Sequence, residues 1–444
     1  MVPTRGGTAR ARGGRWTLPV LLVLVLSGAV RPVVAAAPAP GAVKVGIVTF
    51  LSGAAAAPFG IPARNAAEVL VDELNAGRVP APYNKVGING VPIRTVVVDE
   101  AGGADKQVAE FRRLILDERV DLVIGYISSA DCLAVAPVAE ELRALLVMFD
   151  CGTNQIFEER RYRYVFRTHG HQILDNVGAA RYVLRQKSAV ATIAGINQNY
   201  AWGQDSWTTF RDSMRKLKAD VRVLAEQFPR LFAGEYSAEL SALLAARPDV
   251  IHTSFWGGDL ESFLIQGLPR GIYAQSLLVL TTGDTVLPRL GRDMPPGVVI
   301  GARGPHGALA PDVPLNRWFK QAYTARFGTR PVYPSYHMSQ ALLGVKAAYE
   351  KAAARGGWPT KEQLIAAFEG LTFETPSGTI RMALGGGHQA VEPVAYGVTG
   401  RYNTALKEFE LTRVITFPAE CVNPPEGVKS ADWIAQGFPG ARCP

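Results

Sequence analysis

Three short stretches carry residue types suited to gripping a small charged molecule. Ser128-Ser129-Ala130-Asp131 ends an apolar strand and opens a helix, and Cys151-Gly152-Thr153-Asn154 closes the next strand. Far downstream, Gly283-Asp284-Thr285 follows the apolar run Leu277 to Leu280. Hydroxyls at a helix N-terminus suit a carboxylate, because unpaired N–H groups and the helix dipole favour negative charge there. A lone acid at a strand end suits an ammonium, whose desolvation is costly without an anion. Placed across one cleft, these stretches would read both charges of a zwitterion.

Residues for bond-making chemistry are missing from the pattern. Six histidines are present, at positions 169, 171, 252, 306, 337 and 388. His169-Gly170-His171 invites a metal reading, yet nothing near it supplies further ligands at a recognisable spacing. There is no GxSxG elbow and no phosphate loop, and Gly385 to His388 reads as a turn cluster. Capture rather than catalysis is expected, with no cofactor and no metal.

The elements that must position these residues alternate between strand and helix. Val43 to Phe50 is a short apolar run ending in Leu51-Ser52-Gly53, and Ala66, Val69, Leu70 and Leu74 then recur at helical spacing. Ile93 to Val98, Val120 to Tyr126 and Leu146 to Phe149 read as further strands, with helices between them. A second unit of the same kind follows Phe166-Arg167-Thr168, with strands at Ala189 to Ala194, Val221 to Leu224, Asp249 to Phe255 and Leu277 to Leu280. A long Ala-rich helix is expected from Met338 to Ala354 and a turn-rich end after Gly386-Gly387, while Ala54 to Ala57 reads as loop. Such alternation predicts parallel strands covered by helices, with ligands at the strands' carboxyl ends.

The N-terminus has the order of a secretory signal peptide: arginines, an apolar run from Trp16 to Val30, then Ala35-Ala36-Ala37. The run is shorter than the roughly 20 residues needed to span a bilayer. The expectation is a signal peptide over 1–36, cleavage after Ala36, and an exported, periplasmic, soluble remainder. The 444 residues carry a net charge of +8, but residues 1–36 hold five arginines and no acid. The remainder has 42 basic against 39 acidic residues, too mild a balance to argue for nucleic acid. About 400 residues exceed one core and predict two lobes.

Four cysteines in an exported chain read as disulfides, with three pairings open. Cys421 and Cys443 bracket a Pro/Gly-rich tail, and closing that loop would contribute roughly 3 kcal/mol. Cys132 and Cys151 then remain, as a bridge or as two buried thiols.

The stretches "VKVGIVTFLSG", "NAAEVLVDELNAG", "VDLVIGYISSADCLAVAPVAEE", "YVFRT" and "FGTRPVYPSYHMSQALLGVKAAYEKA" follow one another in an order that resembles the branched-chain amino-acid binding proteins of ABC importers. The similarity runs from Ala42 to Ile415. It implies the type I periplasmic-binding fold: two doubly wound α/β lobes joined by three crossovers and closing like a hinge. The first lobe would take 42–167 and 301–385, the second 168–300 and 386–420, leaving 421–444 as a tail. By the resemblance, Ser129 and Thr153 match positions that hold the ligand's carboxylate and ammonium. Cys151 falls where a backbone carbonyl is used, and Asp284 matches the acid paired with the ammonium. Phe59 matches an aromatic that touches the ligand side chain, and Trp202 and Trp256 match aromatic positions in the opposing lobe, with Tyr200 a rival to Trp202. Each has an ordinary competing role: Ser129 as a helix cap, Thr153 and Asp284 as turn residues, the aromatics as lobe packing.

The resemblance implies a monomer that captures an amino acid or related carboxylate and delivers it to a permease with its ATPase. Asp284 is one methylene shorter than the usual Glu, and tryptophans stand where tyrosines are common. The alternatives are therefore a binder of an aromatic carboxylate or amide, or a ligand-binding sensor component.

Overall fold

Two separate sheets, each built around parallel strands, organise the chain. The computed structural model describes residues 7–11, 13–14, 39–354 and 357–444. The signal-peptide expectation therefore falls mostly outside the described residues. Among the described residues no helix is long and apolar enough to cross a membrane.

The first sheet has eight strands in the spatial order Thr372–Thr375, Gly378–Leu384, Gln389–Val391, Val165–Arg167, Leu145–Met148, Leu122–Ile124, Val43–Thr49 and Ile93–Asp99. The second has seven, in the order Glu408–Phe417, Val394–Asn403, Val299–Gly301, Leu277–Leu280, Val250–Thr253, Thr192–Ile196 and Arg222–Gln227. The first five strands of each sheet in chain order are parallel, in the doubly wound order 2-1-3-4-5. Their apolar, fully buried sequences, such as Leu145–Met148 and Val250–Thr253, follow from helices covering both faces. In such a sheet the strand order reverses beside the first strand, and the crevice there receives ligand. One switch point lies between Val43–Thr49 and Leu122–Ile124, the other between Thr192–Ile196 and Val250–Thr253.

The chain passes between the sheets three times: after Arg167, after Gly301, and between Val391 and Val394. The third passage comes later than the sequence boundary at 385, because Gln389–Val391 still pairs with Val165–Arg167. Three further local differences have simple causes. The Ala-rich helix begins at Tyr333, not Met338, because Pro334 suits a first turn, where no N–H is required. Residues Ala56–Gly60 wind one wide turn, with Gly60 N–H donating to Ala55 O at 3.1 Å, where a loop was expected. The end expected to be irregular holds the antiparallel pair Val394–Asn403 and Glu408–Phe417, rich in β-branched residues such as Val398, Thr399, Ile415 and Thr416.

Disulfides join Cys132 to Cys151 and Cys421 to Cys443. The second closes a tail that docks Trp433 and Ile434 into the core beside the second sheet.

His252 is fully buried in that core, with its ring stacked on Phe210 at 4.3 Å and Nε2 2.7 Å from Asn176 Oδ1. Burial pushes its pKa down to about 3. The unfolded chain would bind the proton first, near pH 6.5, so this contribution to stability is whole above that pH. It is lost as pH falls towards 3, at up to about 1.4 kcal/mol per pH unit. Imidazole resonances of the folded protein should therefore show no titration of His252 near pH 6.5. An inflection there would mean the ring is hydrated.

Candidate functional site

A small cavity, about 200 Å³ of empty space, lies where the two switch points meet. Its walls are built from segments that leave strands at their carboxyl ends. Phe59 comes after Val43–Thr49 and Ile127 after Leu122–Ile124, while Asp150 and Gly152 follow Leu145–Met148. From the second sheet, Tyr200 and Trp202 follow Thr192–Ile196, and Trp256 follows Val250–Thr253. Arg303, two residues past Val299–Gly301, and Tyr333 complete it.

The aromatic walls are held rigidly. Phe59 meets Trp256 at 5.4 Å and Tyr333 at 5.3 Å, both edge to face. Trp256 Nε1 donates to Tyr200 Oη at 2.7 Å, and Trp202 Nε1 donates to Ser254 O at 2.8 Å. With their polar edges satisfied, the indoles offer apolar faces. Gly152 admits this packing: a Cβ there would stand 2.2 Å from the Trp202 ring and 2.5 Å from Arg303 Nη2.

The polar end is one charged network. Arg303 is 4% exposed and lies 4.5 Å over the Trp202 ring. Its Nη1 donates to Asp150 Oδ1 at 2.6 Å, and Nε lies 3.4 Å from Asp175 Oδ2, on helix Gln172–Gln186 beside the second sheet. Burial works against the guanidinium charge, but Asp150 and Asp175 outweigh it and hold the pKa above its usual value. Burial pushes both carboxyls up to about 7 against the pull of Arg303. Three atoms of this network have no partner: Arg303 Nη2, Asp150 Oδ2 and Asp175 Oδ1, of which the first two belong to residues that line the cavity. A buried donor and a buried acceptor left open are each costly, and in a ligand cleft they mark what a ligand must supply.

The residues expected from sequence divide into two groups. Phe59, Tyr200, Trp202 and Trp256 line the cavity. Ser129, Cys151, Thr153 and Asp284 do not, because their polar groups are engaged by the protein. Ser129 Oγ accepts from the N–H groups of Gly152 and Thr153, at 3.3 and 3.2 Å. Thr153 Oγ1 donates to Asp205 Oδ2 at 2.6 Å, and the Cys151 carbonyl accepts from Arg167 Nη1 at 3.0 Å. Asp284 is fully buried, 2.9 Å from Arg330 Nη1, and accepts from the N–H groups of Ala308 and Tyr333, each at 2.9 Å. Sequence reasoning passed over Asp150, Arg303 and Tyr333. The signal for the first two was their place just past a strand's carboxyl end.

Comparison with known proteins agrees with this architecture. A family model described as "Periplasmic binding protein" matches residues 42–399. The leucine-specific-binding protein of Salmonella typhimurium is 24% identical over 260 residues, covering 58% of this chain and 66% of that protein, just under two thirds of its length. A Leu/Ile/Val-binding protein homologue of Brucella abortus is 24% identical over 76% of this chain and 83% of its own. Among solved structures, a solute-binding protein of an ABC transporter from Rhodopseudomonas palustris BisB5, in complex with 3,4-dihydroxybenzoic acid, superposes with a TM-score of 0.72 at 20% identity, covering 86% of this chain and 98% of that one. A second R. palustris solute-binding protein, in complex with benzoate, gives 0.73 at 18% identity over 87% and 99%. A leucine-binding protein from Thermotoga maritima gives 0.69 at 18% identity over 84% and 98%. The two switch points facing one cavity and the family match over most of the chain lead to one conclusion: the protein belongs to the periplasmic binding protein family, with the type I fold of the leucine/isoleucine/valine-binding proteins.

Proposed function

We propose that the protein is an exported, monomeric solute-binding component of an ATP-driven importer, and that it captures an α-amino acid with an apolar or aromatic side chain for delivery to a membrane permease. The observation that carries the ligand reading is the Asp150–Arg303 pair, joined at 2.6 Å, each partner keeping one polar atom open. A ligand carboxylate on Arg303 Nη2 and its ammonium on Asp150 Oδ2 would alternate in sign with the protein's own charges. The two charges of an α-amino acid are neighbours, as these two open atoms belong to neighbouring side chains. The five rings Phe59, Tyr200, Trp202, Trp256 and Tyr333 would then surround the side chain. Ligand held this way touches segments of both sheets, which is what a closure driven by differential binding requires. The names of the Salmonella and Thermotoga proteins, both leucine binders, support the same class.

A second reading, an aromatic carboxylate without an amine, is favoured by those five rings and by the benzoate complexes of the R. palustris proteins. Thermal unfolding against L-leucine, L-phenylalanine, benzoate, 4-hydroxybenzoate and benzamide separates the two. At one hundred times its dissociation constant a true ligand adds about 2.7 kcal/mol, a shift of a few degrees. The proposal expects shifts from the amino acids. Shifts confined to the benzoates would replace it with the second reading, and a panel without any shift would sink both.

A further inference from the structure

The passages between the two sheets converge on a buried cluster that the ligand reading does not use. His306 lies just past the second passage, Glu392 lies within the third, and His337 is on helix Tyr333–Ala353. His306 and His337 are fully buried, Glu392 is 1% exposed, and one donor atom from each lies within 4.8 Å of the others.

The hydrogen bonds show which lone pairs are free. His337 Nδ1 is 2.7 Å from Asp150 Oδ1, so in the neutral ring this nitrogen carries the proton and donates it to the carboxylate. Nε2 is then bare, yet it faces another acceptor, the Arg303 carbonyl oxygen, at 3.2 Å. A proton or a cation must separate two such acceptors. His306 Nδ1 is 2.5 Å from Ser377 Oγ, a hydroxyl that can accept the ring's proton, while Nε2 has no hydrogen-bond partner and stands 3.5 Å from Glu392 Oε2; with Ser377 accepting, this Nε2 is bare as well. Donor atoms bound tetrahedrally at about 2.0–2.2 Å lie roughly 3.3–3.6 Å apart, so this gap is the width a small metal ion needs. Gly304 leaves room for the ring, since a Cβ there would stand 2.3 Å from His306 Nε2.

The surrounding groups are arranged as outer partners of metal ligands. Each imidazole has its remote nitrogen tied, one to Asp150 and one to Ser377, which fixes ring orientation. Glu392 is oriented by the Gly170 N–H at 2.6 Å on Oε1 and by Gln340 Nε2 at 2.9 Å on Oε2.

We propose that His306, His337 and Glu392 hold a divalent first-row cation, with Zn²⁺ the best fit. Two imidazoles and one carboxylate form a zinc donor set, whereas Ca²⁺ and Mg²⁺ take all-oxygen sets. The Arg303 carbonyl oxygen is placed to serve as a fourth donor. The ion ties the second and third passages to a helix packed on the first sheet, and so braces the hinge behind the cleft.

The test uses the tag-free chain after chelator treatment, titrated with Zn²⁺ alone and followed by native mass spectrometry and thermal unfolding, with no organic ligand present. One Zn²⁺ per chain is expected, with unfolding raised by about a few degrees at saturation. Glu392→Gln and His306→Gln should each weaken binding by about 100-fold or more, and Ser377→Ala by about 10-fold. Uptake by the unmodified chain is decisive even where a variant folds poorly. Chelator-treated protein that takes up no stoichiometric Zn²⁺, or folded variants that bind it as the parent does, would overturn the site. Either result leaves the amino-acid panel untouched.

Discussion

On the proposed reading, replacing Arg303 with Met should weaken ligand binding and destabilise the fold. The guanidinium is the only cation lining the cavity among the described residues, and it is buried against Asp150 and Asp175. Truncating one member of a buried, hydrogen-bonded charge pair at a binding site costs roughly 2–5 kcal/mol of affinity, so binding should fall by about 30-fold or more. The same change strands two buried carboxyls, at a cost of about 3–5 kcal/mol of folding stability. Arg303→Lys should not restore affinity. An ammonium lacks the planar fork that reaches Asp150 with one nitrogen, Asp175 with another, and keeps a third for ligand. Calorimetric titration and urea unfolding of both variants check this. A Met variant that binds as tightly as the parent would remove Arg303 from the site.

Asp284→Ala should be costly in a different way. Its carboxylate pairs with Arg330 at 2.9 Å and accepts from two backbone N–H groups, and Arg330 keeps Glu408 as a second partner at 2.7 Å. Removing Asp284 leaves those N–H groups open and breaks a buried ion pair, a loss of about 3–5 kcal/mol. Ligand preference should not change, because Asp284 is not on the cavity wall. A variant that keeps its stability but no longer distinguishes amino acids from their deaminated analogues would return Asp284 to the ammonium role that the family resemblance implies.

The fold was legible because buried parallel strands write themselves as short apolar runs. Leu277–Leu280 matches its expected span, while the strand order that sets the two switch points comes from the pairing itself. The aromatics Phe59, Trp202 and Trp256 were marked by the family resemblance alone, and the structure places all three on the cavity wall. The polar end was not legible. Ser129, Thr153 and Asp284 have the chemistry of ligand-binding groups, and only their actual hydrogen bonds show that the protein itself occupies them. Asp150 and Arg303 are 153 residues apart, and no local pattern announces that they meet. The His306, His337 and Glu392 cluster escaped for the same reason: its members sit on separate segments, outside any metal-binding spacing. Tyr333 was hidden by placing the helix start at Met338, past Pro334.

On the proposed reading, Arg303 and Asp150 together hold the two charges of an amino acid. Calorimetric titration of L-phenylalanine and of 3-phenylpropanoate, its deaminated analogue, into the unmodified protein tests it most directly. The account predicts that the amino acid binds and that the analogue, leaving Asp150 Oδ2 buried and unpaired, binds about 30-fold more weakly or worse. Equal or tighter binding of the analogue would contradict it and make the protein a carrier of carboxylates.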